Sequence, residues 1–441
     1  MNQSPSEPPQ PKHDPLAALR QPRFLLYLLS RTFSGIGQAM LQAILAWHVY
    51  DITGNPLSLG FLGLARFIPA LGISMVGGAA ADAYNRRNII LIAQTVPLAC
   101  GAVLAFSTLN DWVSPALIYG LVLLIGLASS FEGPARAALL PAIVRPETFP
   151  NAVTVASTLQ TLGMVSGPLL GGAVISAAGF DMAYTVYSCL LVVAFLTMSM
   201  LRYEQSTDGP RRTVNLTVIK EGLHYVRTHQ VPLGAMTLDM FAVLFAGAKG
   251  LLPVFAKDIL HTDALGYTML LASLEIGALM MSLILVMRPP IYHSGKALVY
   301  TVVIFGLLSV AFGLSRNLYL SIGLYMLIGA ADQISVVMRT VLIQLTTPDE
   351  LRGRVSSVNM VFIQASNQLG SAYSGFLAAA TSAPFAVVMG GFVAASVAVM
   401  VGLRLKELFN YTTPRAISQS APGAVPPATT EGVAGGAGGS G

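Results

Sequence analysis

The chain has 441 residues, 54% of them hydrophobic and only 10% charged. A soluble domain carries about 25% charged residues, so a water-facing globular body is excluded and lipid is the expected solvent. Lys and Arg total 25 against 20 acids, but they are scattered through short loops and form no basic stripe with aromatics, which argues against nucleic acid as a partner.

Residues 1–22 are Pro-rich and polar, with no apolar core of a signal peptide, and are expected to be a disordered cytoplasmic segment. Twelve apolar stretches follow, at 24–50, 57–81, 88–109, 115–140, 152–178, 182–202, 233–256, 264–287, 297–315, 317–345, 354–380 and 384–404. Each is close to the roughly 20 residues that cross a bilayer. The longest internal connection falls in the middle. Its segment 214–230 places Val214, Val218, Leu223 and Val226 at helical spacing among polar residues and reads as an amphipathic interfacial helix. The expected organisation is a six-helix half over 23–203, a cytoplasmic linker over 204–232, a second half over 233–404, and a disordered Pro/Gly/Ala-rich tail over 405–441. Cys100 and Cys189 lie inside apolar runs without CxxC spacing and read as small buried hydrophobes, so no disulfide, metal or cofactor is expected.

Placing both termini in the cytoplasm puts every loop Lys and Arg on that side except Lys257 and Arg316. The positive-inside rule requires such an asymmetry. Small residues, such as those of GGAAA (77–81), permit close helix contact.

The two halves are similar to one another. RAALLPAIVRPETFPNAV (136–153) aligns with RTVLIQLTTPDELRGRV (339–355) at the ends of the fourth and tenth stretches. Between the second and third stretches lies Gly78-Ala-Ala-Ala-Asp82-Ala-Tyr-Asn85-Arg86-Arg87, which resembles the GxxxDxxGRR signature of major facilitator transporters. The resemblance implies a cytoplasmic latch built from Gly78, Asp82, Asn85, Arg86 and Arg87. Asn85 replaces the usual Gly and is expected to take the left-handed turn that Asn tolerates. On the fifth stretch, Gly163, Gly167, Pro168, Gly171 and Gly172 resemble the glycine-proline pattern of exporters in this superfamily. Glycines at that spacing clear one helix face, while Pro168 loosens a backbone hydrogen bond.

The segments FEGPARAALLP (131–141), LLPVFAKDIL (251–260), GAADQISVVMR (329–339), QLTTPDELRGRVSSVN (344–359) and SNQLGSAYSG (366–375) resemble the bacterial branch containing enterobactin-type siderophore exporters. This implies an all-α membrane fold of twelve helices in two six-helix halves, in a bacterial inner membrane, with a substrate site between the halves near the midplane.

Ionisable residues inside hydrocarbon cost roughly 2.5–3.5 kcal/mol each on a lone helix and are functional candidates. They are Arg31, Arg66, Glu132, Arg136, Asp239, Lys249, Glu275, Asp332 and Arg339. Glu132 and Arg136, four apart, are expected to pair locally. Arg31 matches Asp239 in depth, and Arg66 matches Glu275; these opposite signs are expected to pair between the halves. Lys249 is expected to snorkel outward. Gln38, Gln42, Asn359, Gln364, Asn367 and Gln368 either line a hydrated cavity or bond across helices. A proton-carrying carboxylate must be buried, reachable and free of a permanent cation. Asp332 ranks first by that criterion and Glu275 second, while Asp239 lies nearer the cytoplasmic end.

No Ser-His-Asp order and no GK[ST] phosphate loop is visible, so neither an enzyme nor ATP drive is expected; His48 reads as a helix-end residue. The expectation is a monomeric, proton-coupled exporter of a small amphipathic molecule, a siderophore or drug-like compound. Uptake or lysophospholipid transport is the alternative within the fold, and a polytopic sensor or enzyme the alternative outside it.

Overall fold

The computed structural model describes residues 18–72, 84–203, 216–289 and 291–413. The regular structure among them is helical. In chain order the helices are α1 (Pro22–Thr53), α2 (Pro56–Gly72), α3 (Arg86–Leu109), α4 (Pro115–Ile143), α5 (Phe149–Met200), α6 (Leu216–Thr228), α7 (Gln230–Ala246), α8 (Ala264–Met287), α9 (Ser294–Leu314), α10 (Leu318–Thr346), α11 (Asp349–Ala380), α12 (Ala383–Arg404) and α13 (Lys406–Phe409).

Their starts are chemically marked. Ser114, Asp263, Asn317 and Ser382 each stand just before an apolar run and accept a hydrogen bond from a first-turn backbone N–H, of Leu117 (3.3 Å), Gly266 (3.0 Å), Leu320 (3.1 Å) and Phe385 (3.3 Å). These side chains satisfy donors that have no partner within the helix. Among the described residues, eight helical segments are long and apolar enough to cross a membrane, and one of them, Pro146–Met200, contains the fifth predicted stretch and nearly all of the sixth. The chain turns between these two at Gly179, whose φ of 87° favours glycine. α1 and α11 are long enough but hold the polar residues Gln38, Gln42, Asn359, Gln364, Asn367 and Gln368. The described part of α2 is 17 residues.

The helices before residue 204 pack around two apolar cores, one centred on Leu104, Ile118, Tyr184 and Tyr187, the other on Phe24, Tyr27, Leu139 and Met198. Those after residue 216 share one core around Leu251, Phe255, Leu298, Phe312 and Leu342, into which Trp47 and Tyr50 of α1 also pack. Outward-facing apolar side chains such as Val286 (82% exposed) and Leu403 (72%) form the surface that lipid covers.

The two halves close on each other at one end. Lys257 pairs with Asp51 at 2.5 Å, the Tyr50 hydroxyl donates to Asp258, and Ser176 donates to Asp263 at 3.1 Å. Trp47 stacks on Tyr267 with centroids 5.2 Å apart. Backbones nearly touch along this seam. A Cβ on Gly63 would lie 2.7 Å from the Ala372 nitrogen, and one on Gly375 would lie 2.6 Å from Gly60 Cα. This is the end that the basic-residue pattern assigns to the outside.

Several expectations change. α6 does form in the linker, but it buries Tyr225 and Val226 against the second half. Tyr225 donates to the Thr346 carbonyl at 2.5 Å, and Glu221 pairs with Arg354. The chain beyond Leu405 is ordered through Thr413, because Leu408 is fully buried and the Thr413 N–H reaches the Tyr292 carbonyl at 2.8 Å. At the other terminus Ala18 is buried, its N–H donating to Asn151 at 3.2 Å. Cys189 is exposed on an outer helix face instead of buried. His48 is buried, stacked on Phe180 at 3.9 Å, with Nδ1 2.9 Å from the Tyr184 hydroxyl.

The glycine pattern of the fifth stretch packs α5 on α1. A Cβ on Gly167 would lie 2.6 Å from the Ile36 carbonyl oxygen and 2.8 Å from Ala39 Cβ, and Gly163 and Gly171 face Ile36 and Met40. Gly172 instead faces Thr268 and Ala264 of α8, across the seam between the halves. Overpacking at such a contact costs about 1–3 kcal/mol. Gly167→Val should therefore lower the melting temperature in detergent, whereas Gly120→Ala, with nothing within 4 Å, should leave it unchanged or slightly raised. Equal melting of the two variants would show that the α1–α5 contact is not close.

Candidate functional site

Four of the intramembrane charges form two buried pairs, one in each half. On α4, Arg136 meets Glu132 through Nη2 at 2.7 Å and Nε at 2.8 Å, and both residues are 7% exposed. Around them Gln94 donates to Glu132 (3.4 Å) and to Ser30 (3.3 Å), and the Tyr27 hydroxyl donates to the Arg136 carbonyl (3.2 Å). In the second half Arg339 of α10 pairs with Asp239 of α7, at 3% and 7% exposure. Arg136 and Arg339 hold matching positions in the repeated segments, yet the neutralising carboxylate comes from the same helix in one half and from a neighbour in the other. The expectation that Asp239 is water-accessible does not hold, since Arg339 covers it.

The predicted pairing across the halves is not formed. Asp239 is taken by Arg339, and Glu275 of α8 by Lys249 at 3.5 Å. Equal depth did not give contact because each acid has a cation within its own half. Arg31 instead donates to the Tyr27 hydroxyl at 3.1 Å and bonds Gln160. Arg66 makes one long hydrogen bond, to the Gln42 carbonyl at 3.4 Å, and lies within electrostatic range of Tyr267 on α8.

Lys249 reaches Glu275 because α7 is interrupted. After Ala246 the chain leaves α-helical geometry at Gly247, makes a 3-10 turn over Ala248–Leu251, and resumes through a π-helical turn over Phe255–Ile259. Gly250 fits there because a Cβ would lie 3.0 Å from Ser371 Cα of α11. Sequence reasoning placed Lys249 in a continuous helix, snorkelling outward; Gly247, Gly250 and Pro253 within one span were the signal for the break. Broken helices of this kind are common at transporter binding sites.

Asp332 of α10 is half-buried and, among the described residues, makes no hydrogen bond or ion pair. It lies within electrostatic range of Glu275 and Lys249, and the Tyr325 hydroxyl is in range of both carboxylates. One cation therefore faces two carboxylates. Of the two, Glu275 has the direct ion pair.

At the predicted latch, Gly78 and Asp82 lie outside the described residues. Asn85 is extended (φ −61°, ψ 115°), not left-handed, and accepts from the N–H groups of Arg87 (3.0 Å) and Asn88 (3.4 Å). Asn suits the site as a helix cap, a role Gly cannot fill with a side chain. Arg86 donates to the Ala138 carbonyl at 3.0 Å and Arg87 to the Ser199 carbonyl at 2.5 Å. Both cations thus meet backbone carbonyls near the C-terminal ends of α4 and α5, where the helix dipole favours positive charge.

Breaking a buried ion pair by removing one partner costs about 3–5 kcal/mol, whereas replacing both with apolar groups is often neutral. Asp239→Ala should lower the melting temperature in detergent sharply, and Asp239→Leu combined with Arg339→Leu should recover most of the loss. A single variant that melts like the wild type would contradict the buried pair.

The sequence matches the model of the transmembrane secretion effector family over residues 13–422. The multidrug efflux pump Tap of Mycolicibacterium fortuitum is 26% identical over 366 residues, covering 80% of this chain and 88% of that protein. The enterobactin exporter EntS of Citrobacter koseri is 26% identical over 412 residues, covering 91% and 96%. The fold is similar to the nucleoside transporter NupG (TM-score 0.66, 13% identity, 88% of this chain and 100% of that one). It is equally similar to a bacterial homolog of the lysosomal transporter Spinster in an inward-facing, unoccupied conformation (TM-score 0.66, 14% identity, 88% and 95%). The chain belongs to the transmembrane secretion effector family, and is a multi-pass major facilitator transporter of small molecules rather than an enzyme.

Proposed function

We propose that this transporter exports a small amphipathic molecule, a siderophore or drug-like compound, in exchange for protons. The two halves, 23–203 and 233–404, would rock about a central site and expose it alternately to either side of a bacterial inner membrane, with both termini in the cytoplasm. The observation that carries proton coupling is Asp332, a half-buried carboxylate on a membrane helix without an ion pair among the described residues. Such a group can load and unload a proton without first breaking a salt bridge. Glu275, held by Lys249, is the second carboxylate of the cluster and would release the lysine whenever it is protonated.

Export is supported by relatives named as an efflux pump and an exporter. It is further supported by the seam at Asp51, Lys257, Gly63 and Ala372, which closes the end assigned to the outside and leaves the site to be loaded from the other. The segment from Gly78 to Arg87 would act as the latch that steadies this state, with Arg86 and Arg87 anchoring it to α4 and α5.

Inside-out vesicles with an acidic lumen should concentrate a substrate found among siderophores and amphipathic dyes. Asp332→Asn should abolish that uphill accumulation while downhill exchange of the same compound continues. A mutant that still concentrates the compound under the gradient would remove Asp332 from the role, and accumulation that needs the opposite gradient would overturn export.

A further inference from the structure

The membrane charges divide unevenly between the halves. In the first half Glu132 neutralises Arg136, and among the described residues neither Arg31 nor Arg66 has a carboxylate partner. In the second half Arg339 and Lys249 take Asp239 and Glu275, and Asp332 has no ion pair. Among the described residues the first half thus presents two membrane cations without a carboxylate partner, and the second presents one carboxylate without an ion pair.

Arg66 lies about one turn after Gly63, whose backbone packs against Ala372 of α11 in the second half. Its guanidinium reaches the Gln42 carbonyl of α1 (3.4 Å) and is in electrostatic range of Tyr267 of α8, whose ring stacks on Trp47. Its contacts leave most of its donors open, since five N–H groups are available and one hydrogen bond is made among the described residues. A guanidinium held between apolar helices with a forked set of free donors matches a planar anion, which it can grip through two parallel hydrogen bonds. Arg31 lies on α1 eleven residues before Gln42, a rise of roughly 16 Å toward the Pro22 end.

We infer that the transported molecule carries an anionic group, a carboxylate, phenolate or phosphate on an aromatic or otherwise apolar body, and that Arg66 is the residue that binds it. The inference rests on the reading of the protein as a transporter of amphipathic molecules and adds the sign of their charge. It also separates the two tasks of the central site. The anion sits on α2 of the first half, and the proton on α10 of the second.

The test uses purified full-length protein in neutral maltoside detergent, where direction and proton gradient play no part. Thermal stabilisation is measured with 1-naphthoate and with 1-naphthylmethylammonium, which share an apolar body and differ in charge. The wild type should be half-maximally stabilised at a concentration at least roughly tenfold lower for naphthoate, as expected for one charge-assisted contact. R66Q should lose that preference and R66K should keep part of it. Equal stabilisation by the two ions, no stabilisation by naphthoate, or an R66Q protein as responsive as the wild type would overturn the inference. The comparison of the two ions on the wild type stands even if R66Q does not fold. Failure here would leave export and proton coupling untouched, and failure of the vesicle experiment would leave the anion site untouched.

Discussion

Charge inside hydrocarbon is expensive, and this chain carries nine ionisable side chains within its predicted spans. What each of them meets determines much of the rest. Two pairs, Glu132–Arg136 and Asp239–Arg339, are buried and closed off on matching helices of the two halves. They tie α4 to its neighbours and α10 to α7, within each half. The remaining charges, Arg31, Arg66, Lys249, Glu275 and Asp332, are more exposed. They include a lysine paired with Glu275 and within electrostatic range of Asp332, and two arginines without acids among the described residues. A transporter needs both kinds, with fixed pairs to hold the moving bodies together and free groups to exchange partners during the cycle.

Packing at the seam follows a different rule. There is no hydrophobic force between helices that are already in lipid, so close approach of backbones and polar contacts must hold them. Gly60, Gly63, Gly375 and Gly172 supply the approach, and Asp51–Lys257 and Tyr50–Asp258 supply the polar contacts at its rim. Contacts of this sort are individually weak. Under the proposed alternating access the seam would open in every cycle, which several modest contacts suit better than one deep apolar core, and the three cores do lie mainly within the halves.

Much of this was legible in the residues. The apolar stretches and the i to i+4 pair Glu132–Arg136 are local patterns, and local patterns survive folding. The glycine row of α5 was legible as a packing face, though not that Gly172 turns toward the other half. Pairings between distant helices were not legible, because depth along a helix says nothing about rotation around it. That is why Asp239 and Glu275 were matched to Arg31 and Arg66 when Arg339 and Lys249 stood closer. The break in α7 was missed since hydropathy averages over it, although Gly247, Gly250 and Pro253 marked the place. Asn85 was misread because both a left-handed turn and a helix cap suit that residue, and only the backbone angles separate them.

The central claim is that the two halves move against each other by opening the seam at Asp51 and Lys257. Cysteines placed at these two positions, in a protein whose Cys100 and Cys189 are replaced by Ala and Ser, can be joined by a short thiol-specific crosslinker cleavable by reductant. Transport into vesicles should stop on crosslinking and return on reduction, while the single-cysteine controls keep their rate throughout. A crosslinked protein that transports at the rate of the uncrosslinked one would contradict the account.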